Sequence, residues 1–133
     1  MSTQIDARGP RFAAGVTTVV LAAAFLTVGT TISTWFLTVQ ALAFAAGAII
    51  GLQAQPYGWL FRTVVRPRLT GPVPLEESAP PRFAQSVGLG FAVAALAGVA
   101  LGSPLVTTVA TGFALAAAFL NAAFGFCLGC EMY

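Results

Sequence analysis

The sequence predicts an all-α membrane protein: four transmembrane helices forming two tandem helical hairpins, with a short interfacial amphipathic helix between them. Three observations carry this. Of 133 residues, 58% are hydrophobic and only 8% charged, against about a quarter charged in an ordinary soluble domain. There is too little polar side chain to coat a globule in water, so the solvent must largely be lipid. Four apolar stretches each approach the ~20 residues that a helix needs to cross ~30 Å of hydrocarbon, and every charged residue falls outside them.

The first span runs from about Phe12 to Val28, behind Asp6, Arg8 and Arg11. This opening resembles a secretory signal. The apolar run is long for one, however, no small-x-small cleavage site follows before the next span, and a similar segment recurs later, so it reads as a retained helix. The second span begins near Trp35, after the polar stretch Gly29 to Thr34, and continues to about Leu52. The third runs from Phe83 to about Gly102, and the fourth follows Pro104 and reaches Cys127. Arg62, Arg66, Arg68 and Arg82 share the central region with Glu76 and Glu77. Basic loops are held on the cytoplasmic side, which predicts both termini and the central region in the cytoplasm, beneath a plasma (inner) membrane.

Within the central region, Tyr57, Trp59, Leu60, Phe61, Val64 and Val65 are interleaved with Arg62 and Arg66. That pattern suits an interfacial amphipathic helix ended by Pro67. It reads as a membrane-surface anchor with an aromatic belt, or alternatively as a basic platform for a partner. Gly71 to Pro81 is rich in Pro and polar residues and reads as the linker between halves. The chain is thus one membrane domain: residues 1–55 a first hairpin, 56–80 the amphipathic segment and linker, 81–133 a second hairpin.

Pro10-Arg11-Phe12-Ala13 recurs as Pro81-Arg82-Phe83-Ala84, each opening an apolar span, and Phe44 and Phe113 sit at similar depths in the second helix of each half. The halves read as an internal repeat sharing one orientation, with a pseudo-symmetry axis along the membrane normal. An interfacial Pro-Arg opening that arose independently is the alternative. Gly47 and Gly51, Gly98 and Gly102, and Gly125 and Gly129 are spaced to share a helix face and permit close helix approach.

The residue inventory narrows the chemistry. All basic residues are Arg, and there is no His. Ser-His-Asp or Cys-His catalysis, His-ligated haem and His-containing zinc sites are excluded within one chain. The small net charge of +2 offers no reason to expect nucleic acid. No intramembrane ionisable group is present to relay protons or pair with a charged substrate, which argues against an ion-coupled transporter. The polar residues in the spans include Gln40, Gln53, Asn121 and several Thr. Asn121 and Gln53 could hydrogen-bond across helices, as polar glue or to orient a sulfur-bearing ligand.

Cys127 and Cys130 are the only cysteines, at the spacing that redox dithiols and metal pairs use. On a continuing fourth helix their thiols would share a face at its cytoplasmic end, where a stable structural disulfide is disfavoured. The negative end of the helix dipole, with Glu131 adjacent, would raise the thiol pKa. Activation would then need cations, and the candidates are Arg11 and Arg82, which open the two repeats, with Arg62, Arg66 or Arg68 from the amphipathic segment. A zinc or iron-sulfur site would need four cysteines from a symmetric dimer, so neither a metal nor a cofactor is expected. An inert pair of small residues is the bland alternative.

The run Asp6-Ala-Arg-Gly-Pro-Arg-Phe-Ala, the basic stretch from Arg62 to Arg68 and the ending Phe124-Gly-Phe-Cys-Leu-Gly-Cys resemble a membrane family found widely in actinobacteria. It is catalogued as domain of unknown function 4395. The resemblance covers nearly the whole chain and carries no established activity. Proteins similar to it are encoded near, or fused to, thioredoxin-like or sulfurtransferase-like proteins, so the resemblance implies a thiol role for Cys127 and Cys130.

The reading is therefore a membrane thiol protein whose cysteines exchange electrons or sulfane sulfur with a cytoplasmic thioredoxin-like or rhodanese-like partner. Cys130 is expected to attack and Cys127 to resolve. The rivals are a non-enzymatic scaffold subunit of a larger membrane complex or homodimer, and a passive carrier of a small sulfur species between the repeats.

Overall fold

A computed structural model describes residues 4–132. A short strand β1 (Gln4–Asp6) leads into α1 (Arg8–Leu26), followed by α2 (Thr31–Ala45), which a π turn (Ala46–Ile50) prolongs. The amphipathic α3 (Pro56–Leu60) continues as a π turn (Phe61–Val65) and a 3-10 turn (Arg66–Arg68). Strand β2 (Leu75–Glu77) precedes the second hairpin, α4 (Ala79–Ala100) and α5 (Pro104–Phe124), and a final turn of helix, α6 (Leu128–Met132), closes the chain. The four helices α1, α2 with its π turn, α4 and α5 are each long and apolar enough to cross a membrane.

The spans stand where hydropathy put them, but their ends shift. α1 and α4 start at Arg8 and Ala79, ahead of the expected Phe12 and Phe83, because hydropathy marks entry into hydrocarbon and not the first helical turn. The polar residues between the spans cap the partner helices. Thr30 Oγ1 accepts from Ser33 N at 3.4 Å and Ser103 Oγ from Val106 N at 3.4 Å, and Pro104 sits at the first position of α5, where no donor is needed.

The distribution of side chains is that of a protein dissolved in lipid. Leu26, Trp35, Leu101, Leu105 and Phe113 are all exposed, while the interior is built from small and polar residues: Ala24, Ala95, Thr17, Ser33, Gln40, Thr107 and Thr111, with Leu21 and Leu37. In lipid, burying a leucine removes no water-exposed apolar surface, so close backbone approach and interhelical hydrogen bonds hold the bundle.

The halves are related reciprocally. β1 and β2 pair antiparallel, Gln4 with Glu77, Ile5 with Glu76 and Asp6 with Leu75, a register symmetric about the Ile5–Glu76 pair. The sequence offset that carries Ile5 onto Glu76 also carries Arg8 onto Ala79, Arg11 onto Arg82 and Ala24 onto Ala95. Since α4 has 22 residues and α1 has 19, a correspondingly longer offset relates α2 to α5. Equivalent bonds then appear twice. Ser33 Oγ donates to Ala24 O at 2.7 Å, and Thr107 Oγ1 to Ala95 O at 2.8 Å. Arg11 of the first half donates to Ala122 O and Ala123 O of the second (3.1 and 3.2 Å), and Arg82 of the second to Ala48 O and Ile49 O of the first (3.1 and 3.0 Å). Each half caps the other, which is what a two-fold relation requires. Under it Phe44 corresponds to Ala118 and not to Phe113: Phe44 is buried against Gly88, whereas Phe113 lies outside.

The strands were not expected from the sequence, since three residues carry no readable alternation. They pair because the two extended entries to α1 and α4 cross at the centre of this relation. Asp6, at the end of β1, accepts from the Arg8 backbone (3.0 Å) and guanidinium (3.0 and 2.8 Å) and pairs with Arg66 at 3.5 Å. The Arg8 hydrogen bond holds its carboxyl below the usual carboxylate range. A lowered folded-state pKa contributes stability above the unfolded value of ~3.9, lost as pH falls through the folded one. Asp6→Asn should therefore lower the melting temperature at neutral pH, with the gap to wild type closing as the pH drops below ~4. Melts across that range check this; a gap independent of pH would show that Asp6 stabilises by packing alone.

Candidate functional site

The cysteines stand at the end of the bundle that carries both strands. They are not on a continuation of α5, as the sequence reading expected. Gly125 takes φ 69° and ends that helix at Phe124, its N–H bonding back to Asn121 O at 2.9 Å. Cys127 lies between helices, immediately before α6. Its Sγ accepts the N–H of Cys130 at 3.1 Å and its carbonyl accepts the N–H of Glu131 at 3.1 Å. The two sulfurs are joined as a disulfide, with Cα atoms 5.1 Å apart.

This placement changes what Cys127 faces. A thiolate after the last turn of α5 would face carbonyl oxygens; Cys127 instead faces an amide hydrogen at the start of a turn. A directed N–H favours the charged sulfur over the neutral one.

Both cysteines border a cavity of about 470 Å3, whose rim also carries Arg11, Glu76, Asn121 and Leu128. Of the five arginines offered as activating cations, the structure brings only Arg11 to this cavity. By capping α5 it stands beside the Gly125 turn, and a Cβ there would lie 3.8 Å from Arg11 Nη1. Arg82, Arg62 and Arg66 line a second cavity, related to the first by the two-fold and lacking cysteine. Arg62 is committed to Gln53 O at 2.8 Å and Arg66 to Asp6.

Asn121 lines the dithiol cavity. The Gln53 side chain stays local: it lies beyond the end of α2 and donates to Ile50 O at 3.4 Å. The interhelical link falls to Gln40, whose Nε2 donates to Thr17 Oγ1 at 3.3 Å and whose Oε1 accepts from Tyr57 Oη at 3.0 Å. This ties α3 to the two helices beneath it. Burial pushes the Tyr57 phenol upward and keeps it a donor.

Two residues of the site escaped sequence reasoning. Among the described residues, Glu76 is the only carboxylate bordering the dithiol cavity, and burial raises its pKa. In the sequence it is one of two glutamates in a polar linker, and only its pairing with Ile5 turns it to this face. Gln85 lines both cavities, its Oε1 buried without a hydrogen-bond partner. Among the described residues, no three His, Cys, Asp or Glu side chains gather to hold a metal.

A family model described as a domain of unknown function, DUF4395, matches residues 5–133. The chain belongs to this family. No curated protein and no solved structure matches it. The DUF4395 match takes in both Pro-Arg-Phe-Ala openings, the strand residues Ile5 and Glu76, and the cysteine pair.

Proposed function

We propose that this DUF4395 protein is a membrane thiol protein whose Cys127–Cys130 pair passes between disulfide and dithiol by exchange with a thioredoxin-like partner. The observation that supports this best is the pairing itself: two sulfurs within one turn at a cavity rim, one receiving a backbone N–H. On the charge rule for loops, the exchange takes place at the cytoplasmic face of a plasma membrane.

The polarity of the exchange follows from that N–H. A partner thiolate attacks Cys130 Sγ, the Cys127–Cys130 bond breaks, and Cys127 leaves as the thiolate that the Cys130 amide stabilises. Exchange is faster when the leaving thiol has the lower pKa. The partner's second thiolate then attacks its own sulfur in the mixed disulfide and releases Cys130. Electrons pass from partner to pair, and Glu76, the carboxyl on the same cavity wall, whose pKa burial raises, is the group placed to exchange a proton with the departing sulfur.

The test uses a thioredoxin lacking its resolving cysteine. It should form a mixed disulfide with the oxidised protein, mapped by peptide mass to Cys130. Neither Cys127→Ser nor Cys130→Ser offers a disulfide to attack, and neither should form the adduct. An adduct that persists in both variants, or none with wild type, refutes the exchange.

A further inference from the structure

Resting on that reading, we infer that the cavity behind the dithiol is a binding site for an isoprenoid quinone, which accepts the electrons the cysteines collect. Four observations lead there.

The first is the origin of the cavity. Under the two-fold, α2 places Gln40 and Phe44 where α5 places Ala114 and Ala118. Phe44 packs its ring against Gly88 of α4, whereas its mate Ala118 offers only a methyl group beside Thr17 of α1; Ala114, Ala118 and Thr17 line the cavity on that side, and Phe44 and Gly88 form its opposite wall. The symmetry is broken by loss of bulk in the half that carries the cysteines. A mostly apolar cavity with a few convergent polar groups beside a reactive pair has the form of a small-molecule site.

The second is its reach. It runs from Cys127 and Cys130 down to Phe91 and Phe113. From Phe113 to the end of α5 at Phe124 is about 16 Å of helix, roughly half the hydrocarbon thickness. Phe113 lines the cavity and is also 62% exposed on the outer surface, so the deep end opens to lipid. Its ring stacks on Phe91 with centroids 6.2 Å apart, a flat aromatic wall for a planar ring or an isoprenoid tail.

The third is the polarity of the mouth. Arg11 and Asn121 bring N–H donors for a carbonyl oxygen, and Gln85 Oε1 is a buried acceptor without a donor. A quinone carbonyl takes the former; the hydroxyl of the quinol it becomes supplies the latter.

The fourth is proton balance. No His, Lys, Asp or Glu lies within the apolar length of any span, so electrons handed to an acceptor here must travel with their protons. A dithiol meets this requirement. Two S–H bonds break and one S–S bond forms between Cys127 and Cys130. The two electrons and two protons convert the quinone's carbonyl oxygens to hydroxyls, giving a quinol that leaves sideways into the lipid. Reduction of the pair by the partner then completes the cycle.

The experiment uses the full chain in lipid nanodiscs with two short-chain probes, a benzoquinone (decylubiquinone) and a naphthoquinone (menaquinone-4). The prereduced protein should form one quinol per dithiol with at least one of them, and that quinone should raise the melting temperature of the Cys127→Ser/Cys130→Ser protein without being reduced. Ala118→Phe, which restores the bulk of the two-fold mate, should abolish the melting shift and slow quinol formation at least tenfold; Ala114→Leu serves as a second filling variant should the first fail to fold. No shift with either quinone, or shifts undiminished in the filled variants, overturns the site, as does a shift produced equally by added phosphatidylglycerol. The thioredoxin adduct is measured on the same preparation. An adduct without quinol formation refutes the quinone site and leaves thiol exchange standing, whereas absence of the adduct refutes the exchange itself.

Discussion

Replacing Phe61 by alanine is expected to free the amphipathic segment from the bundle and to cost about 3 kcal/mol. Phe61 is 2% exposed, the one large apolar side chain of its segment that is turned fully inward. Its ring packs on Phe12 with centroids 5.7 Å apart and lies against Gly9, where an added Cβ would meet Phe61 Cδ2 at 3.5 Å. Loss of the ring removes the contact that sets the depth of α3, and the bonds from Tyr57 to Gln40 and from Arg66 to Asp6 depend on that depth. The expected readouts are a lowered melting temperature in detergent and faster tryptic cleavage after Arg62 and Arg68, Arg66 being protected by Pro67. Val64→Ala, at an exposed position of the same segment, should stay within about 0.5 kcal/mol of wild type. Equal cleavage rates in the two variants would mean that the segment is held by lipid alone.

The contrast between Phe61 and its exposed neighbour Trp59 shows how far the sequence could be read. Composition and the spacing of charges sufficed for four spans in two hairpins, because hydrocarbon thickness leaves little freedom for segments of that length. The alternation of aromatic residues with arginine announced an interfacial helix, but hydropathy does not say which of Trp59, Leu60 and Phe61 faces inward, which depends on the helix it docks against. The repeated Pro-Arg-Phe-Ala run was legible as a repeat. That each arginine caps the helix of the opposite half was not, since the carbonyls it meets carry no sequence signature.

The cysteine pair was visible by its spacing, yet its place relative to the fourth helix turned on one backbone angle. A glycine four apart from another inside an apolar run looks like a packing residue; at Gly125 the positive φ ends α5, and the same two cysteines pass from the negative end of one helix to the first turn of another. Glu76 is the complementary case. Nothing local distinguishes it from Glu77, and only the pairing of two three-residue strands far apart in the chain sends one to the cavity and leaves its neighbour outside.

At the opposite end of the bundle, Gly98→Ala is expected to be among the most damaging single-methyl additions in the chain. A Cβ at this position would lie 2.7 Å from Thr107 N and 3.1 Å from Ser103 O. Both are backbone atoms of the turn into α5, so no side-chain rotation relieves the clash and the helix must shift as a body. That shift would strain the Ser103 N–H bond to Gly98 O at 2.8 Å and the Thr107 Oγ1 bond to Ala95 O at 2.8 Å, the two links that hold α4 to α5 where they cross. Overpacking of this kind costs about 2 kcal/mol. Gly90→Ala on the same helix is the control: an added Cβ there meets nothing within 4 Å, and alanine's better helix propensity should leave stability unchanged or raise it by up to about 1 kcal/mol. Melts of the two variants in one detergent decide the matter. If Gly98→Ala melts with Gly90→Ala, the hairpin tolerates a wider crossing, and Gly98 is not what sets the distance between α4 and α5.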